Sequence, residues 1–407
     1  MLMKRVKKPP VEKCGPEKFG TGLAAIMRRE LFCLQNNIYL LLIIFFAPIA
    51  YPFLYGGVYL NKMEHDIPIA VVDLDKSSES RLLTRYLDAS EMIAVYDRSE
   101  NVASAYELIK QMKVMAIVII PDGYDNDLSS GKRVTLSVSV NNTRFLIASD
   151  ISKGLTEVIA ALGKQIGMRD LQQTGYSSEQ VKYLIEPVAP IVVNAYNTTE
   201  SYGDFIIVAL LLMILQQSLA IGVAVSMSGE REWKSLPDLL TMADNSPMKL
   251  MLGKTGFYFL LYSVYALFYY TFHYFFYKLP LTGSVPALIA FTGLHLLTII
   301  LIALCIASFF RTRLMAINAF IFSSFPIFML SGYSWPLQSV PRPLQLLSQI
   351  IPTTPYLRGY SVLTQMQGSW VDIAPQFLHL GILCTIAFIC CTLRMNQLLS
   401  MKKSTAA

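Results

Sequence analysis

Long apolar runs separated by short polar segments dominate the hydrophobic pattern of the chain. A bilayer core about 30 Å thick needs roughly 20 apolar residues for each spanning helix. Runs of about that length occur six times, at Ile38–Leu60, Asp204–Met227, Thr255–Phe276, Val285–Phe310, Leu314–Gly332 and Pro375–Leu393. The pattern therefore predicts an α-helical membrane protein with six transmembrane helices.

The basic residues beside these runs predict their orientation. Short cytoplasmic loops of membrane proteins carry an excess of Lys and Arg. One set of flanks carries 17 such residues and the opposite short loops carry only three, Lys278, Arg342 and Arg358. The basic flanks are residues 1–37, the loop 228–254, the turn with Arg311 and Arg313, and the tail 394–407. Both termini are therefore expected in the cytoplasm, and the apolar face of Leu23–Leu34 predicts an interfacial helix before the first span.

Residues 61–203 stand apart as a polar segment between the first and second spans. Short β-branched runs at Ile67–Val72, Met92–Tyr96, Val114–Ile120 and Val134–Val140 alternate with helical spacing at Ser78–Leu87 and Asn101–Gln111. A longer amphipathic helix is predicted over Asp150–Leu171. About 140 residues suffice for a separate core. We expect an α+β domain outside the membrane, inserted between the first two transmembrane helices.

Composition agrees with a membrane protein. Hydrophobic residues make up 54% of the 407 positions and charged residues 15%, with a net charge of +6. The excess is unevenly placed, because residues 61–203 carry a balance of −5 and the rest of the chain +11. Since the positive charge borders apolar runs, nucleic acid is excluded as a partner. The six cysteines and four histidines lack ligand spacing, so no metal site is expected.

Motifs of catalysis and ion coupling are not found in the sequence. Gly253-Lys254-Thr255 resembles the end of a phosphate-binding loop, but Met248 occupies the position of the required earlier glycine. We therefore expect no catalytic residue and no cofactor bound by this chain. The central parts of the spans contain no Asp, Glu, Lys or Arg, and Gln216-Gln217 is their one strongly polar pair. Energy for any transport must then come from another subunit.

Three features have both a structural and a functional interpretation. The loop 228–254 is charged at first and then amphipathic, which fits a helix that offers a surface to a soluble partner or a solvated turn. The third span carries Tyr262, Tyr265 and Tyr269 on one helical face. Helix packing is the default for such a face, and a wall for an amphiphilic substrate is the alternative. Gln216 and Gln217 have the same two interpretations, interhelical hydrogen bonding or contact with substrate.

Several stretches together resemble the ABC-2 type transport permeases, the membrane subunits of ATP-driven exporters. Arg29-Glu30 is similar to the basic-Glu helix that precedes the first span of that family, and Ile67–Ser80 is similar to the start of its large outer domain. The part of loop 228–254 that resembles the ATPase-coupling loop contains Glu230, Arg231, Glu232, Leu236, Leu239 and Leu240.

The segment 333–374 after the fifth span resembles the outer re-entrant helices of the same family. Such helices dip into the membrane and cap the translocation path, and irregular backbone is tolerated there only where protein or a cavity surrounds it. The residues that carry this resemblance, and for which it implies an outer gate, are Ser331, Gly332, Pro336, Pro341, Pro352 and Arg358.

The resemblance implies a permease subunit in a bacterial cytoplasmic (inner) membrane. It implies cytoplasmic ABC ATPase subunits that hold ATP and Mg, a second permease copy or paralogue, and in relatives with a large outer domain a periplasmic adaptor and an outer-membrane channel. The expected substrate is an amphiphilic drug-like molecule or a lipid. A membrane receptor or scaffold that binds partners through the outer domain is the alternative, and a membrane enzyme a weaker one.

Overall fold

A computed structural model of the chain describes residues 16–60, 65–99, 101–185, 195–197 and 201–406. These residues divide into two compact units. Residues 65–185 form one unit, and residues 16–60 together with 195–406 form the other. We describe each unit by itself.

The larger unit is built on six helices long and apolar enough to cross a membrane. Each coincides with one of the apolar runs, so the predicted multi-pass helical membrane protein is confirmed. TM2 is the central helix, because 83% of its most apolar stretch is buried, whereas only 6% of that of TM5 is. The spans are TM1 Ile38–Val58, TM2 Tyr202–Glu232, TM3 Pro247–Phe276, TM4 Val285–Ala307, TM5 Arg313–Leu330 and TM6 Ala374–Ser400.

The helical bounds differ from the apolar runs at the polar ends. TM2 continues beyond Met227 to Glu232, and TM3 begins at Pro247, eight residues before the apolar run. The last helix continues to Ala406, well past Leu393. Glu, Arg and Lys are good helix formers, so a helix does not stop where hydrophobicity stops. The residues between TM2 and TM3 are therefore only 233–246, not the whole of 228–254.

Two spans contain one π-helical segment each. In TM1 it covers Leu42–Phe46 and immediately precedes Ala47-Pro48. Pro48 lacks the N–H that would bond to the Ile44 carbonyl, which interrupts the regular α-helical ladder. In TM3 the π-helical segment covers Tyr269–His273.

Shorter helices complete this unit. Two precede TM1, and Gly22 anchors the second by donating its N–H to the Met242 carbonyl at 2.8 Å. Another lies between TM2 and TM3, and two more lie between TM5 and TM6 beside a 3₁₀ turn at Leu337–Ser339. Their bounds are α1 Pro16–Phe19, α2 Leu23–Gln35, α8 Leu236–Met242, α9 Arg342–Gln349 and α10 Thr353–Gln365.

The smaller unit is an α/β domain with a four-stranded sheet in the order β2-β1-β3-β4. The first three strands are parallel and β4 is antiparallel to β3. The strands β1 Ile67–Asp73, β2 Ile93–Ser99 and β3 Ala116–Ile120 lie within or next to predicted runs, and β4 Ser137–Val140 covers the end of the fourth. Helices connect them as α3 Ser78–Asp88, α4 Val102–Lys110, α5 Tyr124–Ser129, α6 Phe145–Gln173 and α7 Ser178–Ile185.

The sheet separates two small cores. One face packs Ile69, Val71 and Ile93 against Leu83 of α3 and Ile151 of α6. The other face packs Ala70, Val72 and Ile117 against Ala105 of α4. Alternation of the strand residues makes both faces apolar. Since parallel crossovers are right-handed and β1→β2 and β2→β3 run in opposite directions across the sheet, α3 and α4 lie on opposite faces.

Candidate functional site

Helix α2 buries two of its three charged residues, Arg29 and Glu30. Arg29 and Glu30 are 1% and 2% exposed, whereas Leu23 and Leu31 are 44% and 46% exposed. Ile26 of the predicted apolar face is buried as well. Ion pairing explains the burial of Arg29 and Glu30, because both charges find partners on TM2 and TM3. The exposed leucines remain available to lipid.

Arg29 forms a two-pronged ion pair with Glu230 on the last turns of TM2. Its Nη1 and Nη2 donate to the two carboxylate oxygens at 2.6 and 2.8 Å. The Ser235 hydroxyl, after the end of TM2, donates to Oε2 of Glu230 at 2.6 Å. Burial disfavours the charged guanidinium, but Glu230 outweighs burial, so the pKa of Arg29 lies above its usual value. This fork geometry is specific to Arg and is the stronger form of ion pair.

Glu30 forms the second half of the cluster with Lys254 of TM3. Lys254 Nζ lies 2.5 Å from Glu30 Oε1 and also donates to the Ser226 hydroxyl at 2.7 Å. Ser226 and Tyr258 donate their hydroxyls to Glu30 Oε2 at 2.7 and 3.1 Å. Lys254 is 0% exposed and lies 3.6 Å from Glu230. Two cations and two anions thus balance in one interior network, which we call the charge cluster: Arg29, Glu30, Glu230 and Lys254.

A glycine brings the helices of the charge cluster together. A Cβ on Gly253 of TM3 would lie 2.8 Å from side-chain atoms of Ile26 of α2. Because the helices approach this closely, Lys254 reaches Glu30 directly. The charge cluster therefore ties α2, TM2 and TM3 into one block.

The segment 233–246 leaves this block as a tight turn around α8. Leu239 and Leu240 are 0% and 1% exposed and Leu236 is partly buried against the same core. The expected docking residues Glu230, Leu239 and Leu240 are thus inside the protein, because they hold the turn against TM2 and TM3. The outer side of the turn presents Lys234, Pro237, Asp238, Thr241 and Asp244.

The other charged residues at the end of TM2 bond to the fourth and fifth spans. Arg231 donates from Nη1 to the Ser308 carbonyl at 2.5 Å. Glu232 accepts from the Arg313 backbone at 2.7 Å, and its ion pair with the Arg313 guanidinium measures 3.2 Å. The three charged residues Glu230, Arg231 and Glu232 therefore all hold neighbouring elements.

Comparison with known proteins agrees with this architecture. Residues 38–393 match the family model described as ABC-2 family transporter protein. The chain belongs to the ABC-2 transporter family. It is 24% identical over 340 residues to the linearmycin resistance permease protein LnrN of Bacillus subtilis strain 168, which covers 76% of this chain and 83% of that protein. The family is that of the predicted resemblance, and the chain is a transport permease.

The predicted outer-gate residues of this ABC-2 permease divide between turns and a helix. Ser331 and Gly332 follow TM5, where Gly332 has φ +79° and a Cβ there would lie 2.7 Å from Leu337. Pro336, Pro341 and Arg358 are exposed and Pro352 is buried just before α10. Pro336, Pro341 and Pro352 immediately precede the 3₁₀ turn, α9 and α10, and Arg358 lies within α10.

Buried polar groups join α10 to the spans. Gln216 Oε1 of TM2 accepts from Thr353 of α10 at 2.8 Å and from Nε2 of His295 of TM4 at 3.0 Å. The His295 ring stacks on Tyr356 of α10 with centroids 3.8 Å apart. Tyr356 and Thr292 of TM4 are hydrogen-bonded at 2.9 Å. We call Gln216, Thr292, His295, Thr353 and Tyr356 the polar knot.

The tyrosine face of TM3 is packed inside the single chain. Tyr262, Tyr265 and Tyr269 are 0%, 7% and 1% exposed. Tyr269 donates its hydroxyl to the Pro48 carbonyl at 2.6 Å, and the Tyr262 and Tyr265 rings meet edge to face at 5.4 Å. Gln217 donates to the Phe320 carbonyl of TM5. These contacts are those of helix packing.

The charge cluster and the polar knot contain residues that sequence reasoning did not select. The sequence pointed to Arg29 and Glu30 only through the family resemblance and to Lys254 also through an incomplete phosphate-loop motif. It assigned neither His295 nor Thr353 to a site. One signal was available, since Arg29, Glu30 and Lys254 all border apolar runs at positions where isolated charges are costly. Among the described residues, no group of three or more His, Cys, Asp or Glu could hold a metal ion.

Proposed function

We propose that this chain is the permease subunit of an ATP-binding-cassette exporter in a bacterial cytoplasmic membrane. It forms the translocation path for an amphiphilic drug-like or lipid substrate, and separate cytoplasmic ATPase subunits hold ATP and Mg. The B. subtilis relative is a linearmycin resistance permease protein, which supports a drug-like substrate. A second permease copy or paralogue completes the transmembrane unit, and a periplasmic adaptor and outer-membrane channel are further partners.

The charge cluster is the observation that carries this proposal. A segment that receives a push from an ATPase must be stiffly joined to the helices that move. Arg29, Glu230, Glu30 and Lys254 join α2, TM2 and TM3 at the base of the turn 233–246. Movement of that turn is then transmitted to three elements as one rigid body.

The outer side of the turn is the surface that would meet the ATPase. Glu230 and Leu239 hold it from within, and Lys234 and Asp238 are exposed on it. We therefore assign direct contact to the exposed residues of 233–246 and a supporting role to the buried ones.

Charge reversal on the turn tests this assignment. The tagged chain is purified in mild detergent from its native membrane with Lys234→Glu and Asp238→Lys together, and ATP hydrolysis by the co-purifying subunit is measured. We expect association and hydrolysis to fall at least about tenfold, since two rim charges change sign. Asp170→Lys on α6 is the matched control, because Asp170 is exposed in the α/β domain.

Two outcomes would contradict the proposal. Unchanged co-purification with the double variant would show that the turn does not contact the ATPase. If no nucleotide-hydrolysing partner co-purifies with the unsubstituted chain, the exporter proposal is wrong and the receptor alternative is favoured.

A further inference from the structure

The α/β domain contains a cavity of about 310 Å³ between β1, β2 and α3. It lies where β1 and β2 end, and Val71 is its apolar lining residue. Three basic side chains line it, Lys76 from the turn after β1, Arg81 from α3 and Arg98 from β2. Ligands of sheets with parallel strands are commonly bound at this carboxyl edge.

A register shift explains why Arg98 faces the cavity. Ile69 of β1 pairs with Val95, but the next residue, Ala70, pairs with Asp97, so Tyr96 is passed over. Val71 is thereby aligned with Arg98. Aligned residues of neighbouring strands share a face of the sheet, and Val71 belongs to the face that packs on α3. The shift therefore places a cation on the face where an apolar residue is usual.

The charges in the cavity are not neutralised within the described domain. Asp73 is the one acidic side chain that lines it. Its Oδ1 accepts from the amides of Asp75 and Lys76 at 3.2 and 2.8 Å, and its Oδ2 accepts from the Ser80 hydroxyl at 2.7 Å. No ion pair joins the three basic side chains to an acid in the described residues. The cavity has a net side-chain charge of about +2 in a segment whose overall balance is −5.

Arg81 is already positioned beside the cavity. One of its guanidinium nitrogens donates to the Lys76 carbonyl at 3.1 Å. That bond uses one of five N–H donors, so most of the fork remains for a ligand. Thr84, on the next turn of α3, also lines the cavity.

We propose that this cavity binds a phosphate-bearing anion. Arg forks match the oxygens of phosphate, and a phosphate monoester carries about −1.5 to −2 charge at pH 7, which balances the cavity. A volume of about 310 Å³ holds a phosphate with a small organic group. The phosphate belongs either to a soluble ester or to a lipid headgroup.

Binding to the full chain in detergent tests this proposal. The probes are inorganic phosphate, glycerol 3-phosphate and dihexanoyl phosphatidic acid, each titrated by calorimetry at low ionic strength. We expect Arg98→Gln and Arg81→Gln each to raise the dissociation constant about tenfold, because each variant loses one charged contact with the anion. Arg85→Gln is the control, because Arg85 is exposed on α3 but does not line the cavity.

The arms of the experiment distinguish the sources of the anion. If inorganic phosphate competes with both glycerol 3-phosphate and dihexanoyl phosphatidic acid for the cavity, the natural ligand is a soluble anion. If only phosphatidic acid binds, the ligand is a lipid headgroup. If Arg98→Gln lowers the melting temperature of the ligand-free protein, its effect on binding is confounded by stability. Lys76→Gln, on the exposed turn after β1, is then used as the test variant instead. Absence of binding by all three probes at about 10 mM, weaker than most ligand sites, overturns the proposal, as does equal loss with Arg85→Gln.

Discussion

Each member of the charge cluster is buried with a partner. Moving a single charge into a protein interior costs several kcal/mol, and the cost is offset only where the partner and further hydrogen bonds are in place. Glu230 accepts from Arg29 and Ser235, and Glu30 accepts from Lys254, Ser226 and Tyr258. Loss of one member therefore leaves a buried charge without its partner.

Glu230→Ala is expected to destabilise the larger unit by about 3–5 kcal/mol, because Arg29 stays buried after losing both hydrogen bonds to Glu230. The measurement is the midpoint of heat-induced loss of the monodisperse peak in detergent. Arg28→Ala is the control, since Arg28 is the exposed neighbour on α2.

The double variant Arg29→Met with Glu230→Leu tests whether the ion pair is required for stability or for coupling. Replacement of both charges by apolar side chains is often neutral for stability. We expect the midpoint to recover to within about 1 kcal/mol of the unsubstituted chain while ATP-driven transport stays low. Recovery of transport together with stability would assign the charge cluster a purely structural role.

Gly332 is the second residue whose identity the structure explains. Its φ of +79° lies in the left-handed region, and a Cβ would meet Leu337 at 2.7 Å. Gly332→Ala should cost about 1–2 kcal/mol for the backbone conformation and shift the same thermal midpoint downward. Gly57→Ala provides the comparison, because a Cβ at Gly57 meets nothing within 4 Å. Equal shifts of the thermal midpoint in the two variants would contradict the inference that the turn after TM5 requires glycine.

Among the elements, α10 is bonded to the spans through the polar knot. Gln216 supplies the acceptor for both Thr353 and His295. Gln216→Leu removes that acceptor and leaves two buried donors, at a cost of about 1–3 kcal/mol. Thermal unfolding in detergent should show the loss, and Gln338→Leu, at an exposed position of the turn before α9, should show none. A stable Gln216→Leu variant would mean that packing alone holds α10.

The same elements show what a sequence can and cannot predict. The six spans follow from the length of apolar runs, and β1 to β3 follow from β-branched runs bounded by turns. The ends of TM2 and TM3 do not, because helix-forming polar residues such as Glu230 and Lys254 continue the helices beyond the apolar runs. Arg29 and Glu230 are 201 positions apart, and no local pattern reports such a pair. The face of Arg98 likewise depends on a one-residue register shift.

On the scale of the whole molecule, the uneven charge is the remaining guide to orientation. The flanks assigned to the cytoplasm carry 17 Lys and Arg residues against three on the other side, and such bias sets the orientation of short loops. The turn 233–246 lies on the basic side, and long domains cross the membrane largely regardless of charge. We therefore propose that the α/β domain is extracytoplasmic and that both termini are cytoplasmic.

Thiol labelling of intact cells tests this orientation. In a chain whose six cysteines are replaced by serine, Arg85→Cys places a thiol on α3 and Lys234→Cys places one on the turn after TM2. Both positions are exposed, so both should react with a maleimide after detergent solubilisation. In cells whose outer membrane is permeable to the reagent, an impermeant maleimide should label only the Arg85→Cys chain, because the inner membrane shields the basic side. Labelling of the Lys234→Cys chain alone would show the opposite orientation. The turn 233–246 would then lie outside the cytoplasm, where an ATPase subunit has no ATP.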